Sequence, residues 1–78
     1  MTLEIISAHS VLFKGDAQSV NLPGTLGSFT VLNNHAPLIS VLTKGTIVYR
    51  TPEGEEKGIE IKGGLVDVDN NVVSVCIY

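Results

Sequence analysis

Residues 65–78, LVDVDNNVVSVCIY, place two apolar, alternating segments on either side of an asparagine-rich turn. Valine recurs in both segments, and β-branched side chains fit a pleated strand better than a helix. Asparagine tolerates the left-handed backbone that a short hairpin turn requires. The stretch therefore predicts a β-hairpin with strands at 65–69 and 72–78, which sets the fold class.

The segment before it predicts a second hairpin. TIVYR (46–50) and KGIEIK (57–62) flank the polar sequence TPEGEE. In the second of these strands Ile59 and Ile61 share one face, and polar residues or glycine occupy the other. This alternation is typical of a half-buried strand.

The first part of the chain is also divided into short segments by turn residues. Four further strands are predicted, at residues 2–7, 10–14, 17–22 and 28–32. KGD at residues 14–16 is expected to form a turn. Pro23 and Gly24 suit the two central positions of a type II turn, because glycine tolerates the positive φ at the second of them.

Residues 36–44, APLISVLTK, leave two structures open. Pro37 is acceptable at the start of a helix, whereas the β-branched Ile39, Val41 and Thr43 favour a strand. With either outcome, seven to ten short strands predict an all-β antiparallel sandwich or barrel.

Composition restricts the function classes. The chain has 78 residues, which indicates one domain over residues 1–78, and its hydrophobic fraction of 44% is typical of a globular protein. Five Lys and Arg against eight Asp and Glu leave no basic patch for nucleic acid. No apolar run approaches the roughly 20 residues that span a bilayer. The single cysteine, Cys76, excludes an internal disulfide and favours a reducing compartment.

The sequence contains no catalytic or metal-binding pattern. His9 and His35 are far apart in the chain, and a metal site needs three or four ligands. Asp67 and Asp69 share a strand face, where paired carboxylates are candidates for acid–base work, but the polar face of a strand leading into a turn explains them better. The prediction is a non-catalytic protein without a metal or cofactor.

His35 lies in NNHAPLI (33–39) and has two interpretations. As a structural residue, it follows a turn and its ring bonds to a backbone group. As a functional residue, it belongs to a contact loop. Composition alone favours the first interpretation.

Two ordered motifs cover most of the chain. These are LPGTLGSFTVLNNHAPLISVLTKGTIVYR, at residues 22–50, and IKGGLVDVDNNVVSV, at residues 61–75. The pair resembles the N-terminal domain of the epsilon subunit of rotary ATP synthases. The matching positions are Gly24, Gly27, Val31, Leu32, His35, Ala36, Pro37, Leu38 and Ile39 in the first motif, and Gly63, Gly64, Val66, Val68, Asn71, Val73 and Val75 in the second.

The resemblance implies a flattened β-sandwich of about ten strands in the rotor's central stalk. Such a domain packs beside the gamma subunit and rests on the polar loops of the membrane c-ring. It performs no chemistry and helps to transmit ion-driven rotation to ATP synthesis. The expected location is peripheral, on the cytoplasmic face of the inner or plasma membrane, without lipid insertion.

The resemblance also implies a set of docking residues, and this chain differs from the family pattern in two ways. The loops expected at the ring-facing end contain Gly24, Thr25, Leu26, Gly27, Ser28, His35, Ala36 and Pro37. Many family members carry an acidic residue where this chain has Leu26 or Ser28, so an apolar or hydroxyl contact is expected in its place. Longer members continue into two helices, whereas this sequence ends at Tyr78, so the match is to the N-terminal domain alone.

A second function class stays open from the residues. A β-sandwich can also be a ligand- or peptide-binding module, which would need an exposed aromatic platform. The available aromatic residues are Phe13, Phe29, Tyr49 and Tyr78. Two of them stacked beside a groove would favour this alternative.

Overall fold

The computed structural model describes residues 1–78 and contains nine strands and no helix. The strands are Thr2–Ile6 (β1), Val11–Asp16 (β2), Ser19–Gly24 (β3), Gly27–Leu32 (β4), Leu38–Leu42 (β5), Gly45–Arg50 (β6), Glu56–Ile61 (β7), Gly64–Asp69 (β8) and Val72–Ile77 (β9). The predicted all-β fold with mostly antiparallel strands is confirmed, since only β1 and β9 pair in parallel. No helix exists that could span a membrane.

The strands form one continuous sheet that folds into two layers. Its order is β2-β1-β9-β8-β5-β3-β6-β7, and β4 pairs with β3. The strands β3 and β5 share a single bridge, Gly24 with Leu42, whereas other neighbours pair over three residues or more. This bridge is the corner at which a five-stranded layer (β2-β1-β9-β8-β5) meets a four-stranded layer (β4-β3-β6-β7).

The core lies between the two layers and receives alternate residues from both. Fourteen buried apolar side chains form one cluster. Leu3 and Ile5 of β1 are fully buried from one layer, and Val20 and Leu22 of β3 are fully buried from the other. No polar or charged side chain is buried, so apolar packing supplies the stability of the interior.

Both predicted hairpins are present. β8 and β9 are joined by Asn70 and Asn71, whose φ angles of 49° and 61° match a type I′ turn. β6 and β7 pair along their whole length, with Ile47 opposite Ile59. The alternation of side chains in these segments therefore determined both pairing and burial.

Two predicted turns are wrong. Gly15, expected in the KGD turn, lies within β2 opposite Leu3. A Cβ on Gly15 would lie 3.2 Å from Cζ of Phe13, so the glycine leaves room for that ring rather than for a turn. The chain turns instead at residues 17–18.

The type II turn predicted at Pro23 and Gly24 is also wrong. Both residues belong to β3, and Gly24 pairs with Gly27, so the loop consists of Thr25 and Leu26. The positive φ, 129°, lies at Gly27. Residues 36–44, where strand and helical turn were both open, contain β5, because Leu38–Leu42 pairs with β8 over five residues.

The strand registers place the connecting segments at two ends of the sandwich. The Leu26 end consists of residues 7–10, 25–26, 43–44 and 62–63 together with Tyr78. The His35 end consists of Met1 and residues 17–18, 33–37, 51–55 and 70–71.

Candidate functional site

The β3–β4 hairpin ends in the most exposed apolar side chain of the molecule. Leu26 has a relative exposure of 102%. The loop is fixed to β5 by two backbone hydrogen bonds: Thr25 N–H donates to the Val41 carbonyl at 3.1 Å, and Thr43 N–H donates to the Pro23 carbonyl at 2.8 Å. The Leu26 side chain therefore projects into solvent from a loop whose backbone is held at its base.

Close packing beneath the loop restricts it further. A Cβ on Gly24 would lie 2.8 Å from the Gly27 carbonyl oxygen and 2.9 Å from Cε1 of Phe29. Only glycine fits this position, and its role is close approach rather than unusual φ. A loop held in this way loses little conformational entropy on binding.

Ser28, another candidate docking residue, uses its hydroxyl group in a hydrogen bond within the hairpin. Its hydroxyl donates to Oδ1 of Asn21 at 3.1 Å, and Nδ2 of Asn21 donates to Oγ1 of Thr30 at 2.9 Å. The side chains of Ser28, Asn21 and Thr30 therefore hydrogen-bond to each other on the outer face of β3 and β4. Leu26, rather than Ser28, is consequently the free contact group of this hairpin.

The loop that contains His35 is held by its own bonds. His35 N–H donates to the Leu32 carbonyl at 3.2 Å, and the ring Nδ1–H donates to the Ala36 carbonyl at 2.7 Å. The structural interpretation of His35 is thus satisfied, because its ring bonds to a backbone group. Ala36 and Pro37 are exposed.

Neighbouring asparagines connect this loop to the rest of the His35 end. The amino group of Met1 donates to Oδ1 of Asn33 at 2.6 Å. The backbone N–H of Asn34 donates to Oδ1 of Asn71 at 2.8 Å. Residues 33–37 therefore pack beside the N-terminus and the β8–β9 turn.

The two candidate docking segments were expected at the same end of the sandwich, but they lie at opposite ends. Residues 24–28 form the tip of the β3–β4 hairpin, whereas residues 35–37 follow the opposite end of β4. Five residue steps at about 3.3 Å separate these ends of β4 by roughly 16 Å. The family resemblance implied that both segments lie at the ring-facing end, whereas β4 connects them from one end of the sandwich to the other.

No group of three or more His, Cys, Asp or Glu side chains is placed to hold a metal ion. His9 lies at the Leu26 end, and His35 lies at the other. Asp67 and Asp69 share the exposed face of β8, as the alternation predicted. The structure does not bring these residues together into a site.

One aromatic pair bears on the ligand-binding alternative. The ring centroids of Phe13 and Tyr49 are 4.5 Å apart with planes inclined at 40°. Tyr49 is only 5% exposed, and its ring belongs to the core. The pair therefore closes the interior between β2 and β6 and offers no exposed stacking platform.

Charge is distributed unevenly, which the sequence analysis missed. All five Lys and Arg and all eight Asp and Glu lie outside residues 17–43. At the Leu26 end the connecting segments carry Lys44 and Lys62 and no acidic side chain, whereas at the His35 end they carry Glu53 and Glu55. These residues are far apart in the sequence, and only the pairing register of the strands brings them to the same end.

An exposed apolar row crosses the outer face of the five-stranded layer. Strand pairing brings its members side by side: Val41 with Leu65, Leu65 with Cys76, Cys76 with Ile6, and Ile6 with Val11. Leu65 is 46% exposed and Val11 is 61% exposed. The next row along the strands contains Glu4, Lys14 and Asp67 together with the exposed Ile39, so the continuous apolar row lies in the half of the face nearest the Leu26 end.

Comparison with known proteins gives a single family. The family model described as "ATP synthase, Delta/Epsilon chain, beta-sandwich domain" matches residues 1–77. ATP synthase epsilon chains from Leptospira borgpetersenii and Nitratiruptor are each 38% identical, over 96% and 99% of this chain. That of Sulfurovum is 44% identical over 88% of it. The chain spans 54 to 60% of the length of these three relatives.

Two solved structures have the same fold. A chain of the Euglena gracilis mitochondrial ATP synthase, in a structure of its OSCP, F1 and c-ring, superposes with a TM-score of 0.90 at 19% identity. The match covers 96% of this chain and 48% of that one. A chain of the Tetrahymena thermophila mitochondrial ATP synthase central stalk and c-ring gives a TM-score of 0.83 at 15% identity, covering 97% and 61%.

Proposed function

The chain belongs to the β-sandwich domain family of ATP synthase delta and epsilon chains, and from this membership we propose that it serves as a central-stalk part of a rotary ATP synthase. In this role it joins the gamma subunit to the membrane c-ring. Rotation of the ring then reaches the catalytic head as torque. The chain contributes contacts and stiffness, and no reaction takes place on it.

The observation that carries this proposal is the match of the family model over residues 1–77 of 78. Three relatives that share 38 to 44% of the aligned residues are named ATP synthase epsilon chain. Chains with the same fold occur in one ATP synthase structure of the OSCP, F1 and c-ring and in another of the central stalk and c-ring. The wide, single-core sandwich suits a mechanical role, because a close-packed interior has low compressibility and transmits strain.

The contact with the ring is proposed for the Leu26 end. Of the predicted docking residues, Gly24, Thr25, Leu26 and Gly27 lie there on a loop held by backbone bonds to β5. A rigid, protruding loop is suited to docking, since little freedom is lost on binding. Residues 35–37 would then face away from the ring and would support the fold of the opposite end.

The contact with gamma is proposed for the apolar row (Val41, Leu65, Cys76, Ile6 and Val11). Exposed apolar surface rimmed by polar groups is typical of protein interaction sites. The row adjoins the Leu26 end, so a subunit that packs on it would stand on the same ring. The domain would be held at the cytoplasmic face of the energy-transducing membrane by these two partners.

A direct test is assembly in solution. The purified chain, mixed with the gamma subunit and the detergent-solubilised c-ring of the same ATP synthase, is expected to co-elute with them in size-exclusion chromatography. Elution of the chain by itself, while gamma and the ring remain associated, would rule out the proposed role.

A pair of leucine variants tests the surface proposed for gamma. Leu65→Asp introduces a charge into the apolar row and is expected to weaken binding to gamma about tenfold or more, because a charge would be desolvated in the contact. Leu32→Asp is the matched control, since Leu32 is 59% exposed on the other layer. Titration calorimetry with gamma alone measures both variants. Equal affinity of the two would place gamma elsewhere.

A further inference from the structure

We infer that the Leu26 end recognises the ring through an apolar side chain with a cationic rim, so that the ring loops it meets offer an apolar recess edged by carboxylates. This inference rests on the proposed function and specifies the chemistry of that contact. Three observations support it: the exposure of Leu26, the lack of charge around it, and the positions of Lys44 and Lys62.

Leu26 is the apolar anchor. It is completely exposed in the free chain, on a two-residue loop whose backbone is held to β5 by two hydrogen bonds. The loop backbone is therefore already in place before binding, and the whole apolar surface of one leucine is available to be buried. Complete burial of a leucine side chain is favourable, because its apolar surface is removed from water.

The hairpin around Leu26 cannot form an ion pair. No residue between 17 and 43 carries a formal charge. The hydroxyl of Ser28 is already bonded to Asn21 within the hairpin. A partner that presented a cationic side chain to this loop would leave that charge without a counterpart, which is unfavourable once the contact excludes water.

Lys44 and Lys62 supply the charge beside the hairpin. Lys44 follows Thr43, whose N–H bonds to the Pro23 carbonyl at the base of the hairpin, and it lines one cavity together with Lys62 and Glu60. Neither lysine takes part in an ion pair, whereas Lys14 pairs with Glu4 and Arg50 with Glu56. Glu60 is the one acidic side chain that lines this cavity, so the two unpaired ammonium groups leave it with a net positive charge, which fits an acidic partner surface.

The experiment measures binding of the full chain to the gamma and c-ring complex, with five forms of the protein compared. Leu26→Ala is expected to weaken binding roughly tenfold or more, because the anchor is lost. Leu26→Glu is expected to weaken it further, since it adds a carboxylate opposite carboxylates. Lys62→Glu is expected to weaken binding about three- to tenfold.

Lys57→Glu is the control, because Lys57 is exposed and unpaired like Lys62 and lies toward the opposite end of β7. Its binding is expected to match that of the unaltered chain. Leu26 and these lysines are exposed, so thermal unfolding of all five forms should coincide within a few degrees.

The outcomes separate this inference from the proposed function. If the unaltered chain binds but Leu26→Glu binds equally well or more tightly, the ring surface is cationic, and the inference is wrong while the function stands. The same holds if Lys62→Glu and Lys57→Glu behave alike. If the chain binds vesicles of anionic phospholipid without the ring as well as it binds the complex, the lysines recognise lipid and the inference is again wrong. If the unaltered chain binds no complex, both proposals fail.

Discussion

Individual glycines in this chain have different physical roles that the sequence does not distinguish. Gly24 is required because Gly27 and Phe29 leave no space for a Cβ, whereas Gly27 is required for its φ of 129°. Gly15 makes room for a phenylalanine ring. Gly15 and Gly24 resemble turn residues in the sequence, because short-range patterns carry no information on which distant side chain fills the space.

The clearest residue-level prediction concerns Gly64 in β8. A Cβ there would collide with the Cys76 carbonyl oxygen and lie 3.1 Å from Cα of Ile77. Both are backbone atoms of the neighbouring strand and cannot move independently, so we expect Gly64→Ala to reduce the free energy of unfolding by at least about 2 kcal/mol. Urea denaturation followed by circular dichroism measures this.

Gly58 provides the comparison for Gly64. It is exposed on the edge strand β7, and a Cβ there would lie 3.2 Å from the Thr46 methyl group and 3.8 Å, an ordinary contact distance, from the Ile47 carbonyl oxygen. Gly58→Ala is expected to change the free energy of unfolding by less than about 1 kcal/mol. Equal destabilisation by the two substitutions would contradict the packing described around Gly64.

Substitution of His35 tests whether the loop at residues 35–37 supports the fold or contacts the ring. Its ring makes one hydrogen bond, to the Ala36 carbonyl, at a partly exposed position. We expect His35→Ala to lower the free energy of unfolding by about 1 kcal/mol and to leave affinity for the ring unchanged. A tenfold loss of ring affinity with unaltered stability would show that this loop is itself a docking surface, as the family resemblance first implied.

At the scale of elements, alternation was the most reliable signal. The β6–β7 and β8–β9 hairpins were predicted because each combines alternating side chains with turn residues that match the backbone. Residues 36–44 could not be assigned from sequence, since Pro37 permits a helix start and the β-branched residues favour a strand. Pairing of β5 with β8 over five residues decides this segment, and that information is not local.

The β8–β9 turn depends on Asn71 for both its backbone conformation and a side-chain hydrogen bond. Asn71 adopts a φ of 61° and its side chain also accepts a hydrogen bond from Asn34 N–H at 2.8 Å. Asn71→Ala loses both features and is expected to reduce the free energy of unfolding by about 1–3 kcal/mol.

Asn71→Gly separates the two contributions. Glycine adopts positive φ without strain but cannot accept the Asn34 bond. Its loss of stability is therefore expected to be smaller than that of Asn71→Ala, by about 1 kcal/mol. If glycine is as damaging as alanine, the side-chain bond accounts for the whole effect and the backbone strain is negligible.

For the whole molecule, the two layers share one core although a single bridge joins them along the sheet. The 14 buried side chains come from both layers and form one cluster. The prediction of a small sandwich from composition and alternation was therefore sufficient for the architecture. The arrangement of the candidate site was not predictable, because the ends at which residues 24–28 and 35–37 lie depend on strand register.

A shared core predicts cooperative unfolding. Leu22 is fully buried in β3, and Leu22→Ala is expected to cost about 2–5 kcal/mol through lost burial and a residual cavity. Because neither layer can bury its apolar face alone, calorimetry and circular dichroism should report one coincident transition for both the natural chain and the variant. Two separate transitions would mean that the layers are independent units.

A cryo-electron-microscopy structure of this chain, bound to the gamma subunit and c-ring of the same ATP synthase, would show both proposed contacts at once. We expect the Leu26 end to touch the ring loops, gamma to cover the apolar row, and the loop containing His35 to point away from the membrane. A complex in which residues 35–37 rest on the ring, or in which gamma packs on the four-stranded layer, would contradict this expectation.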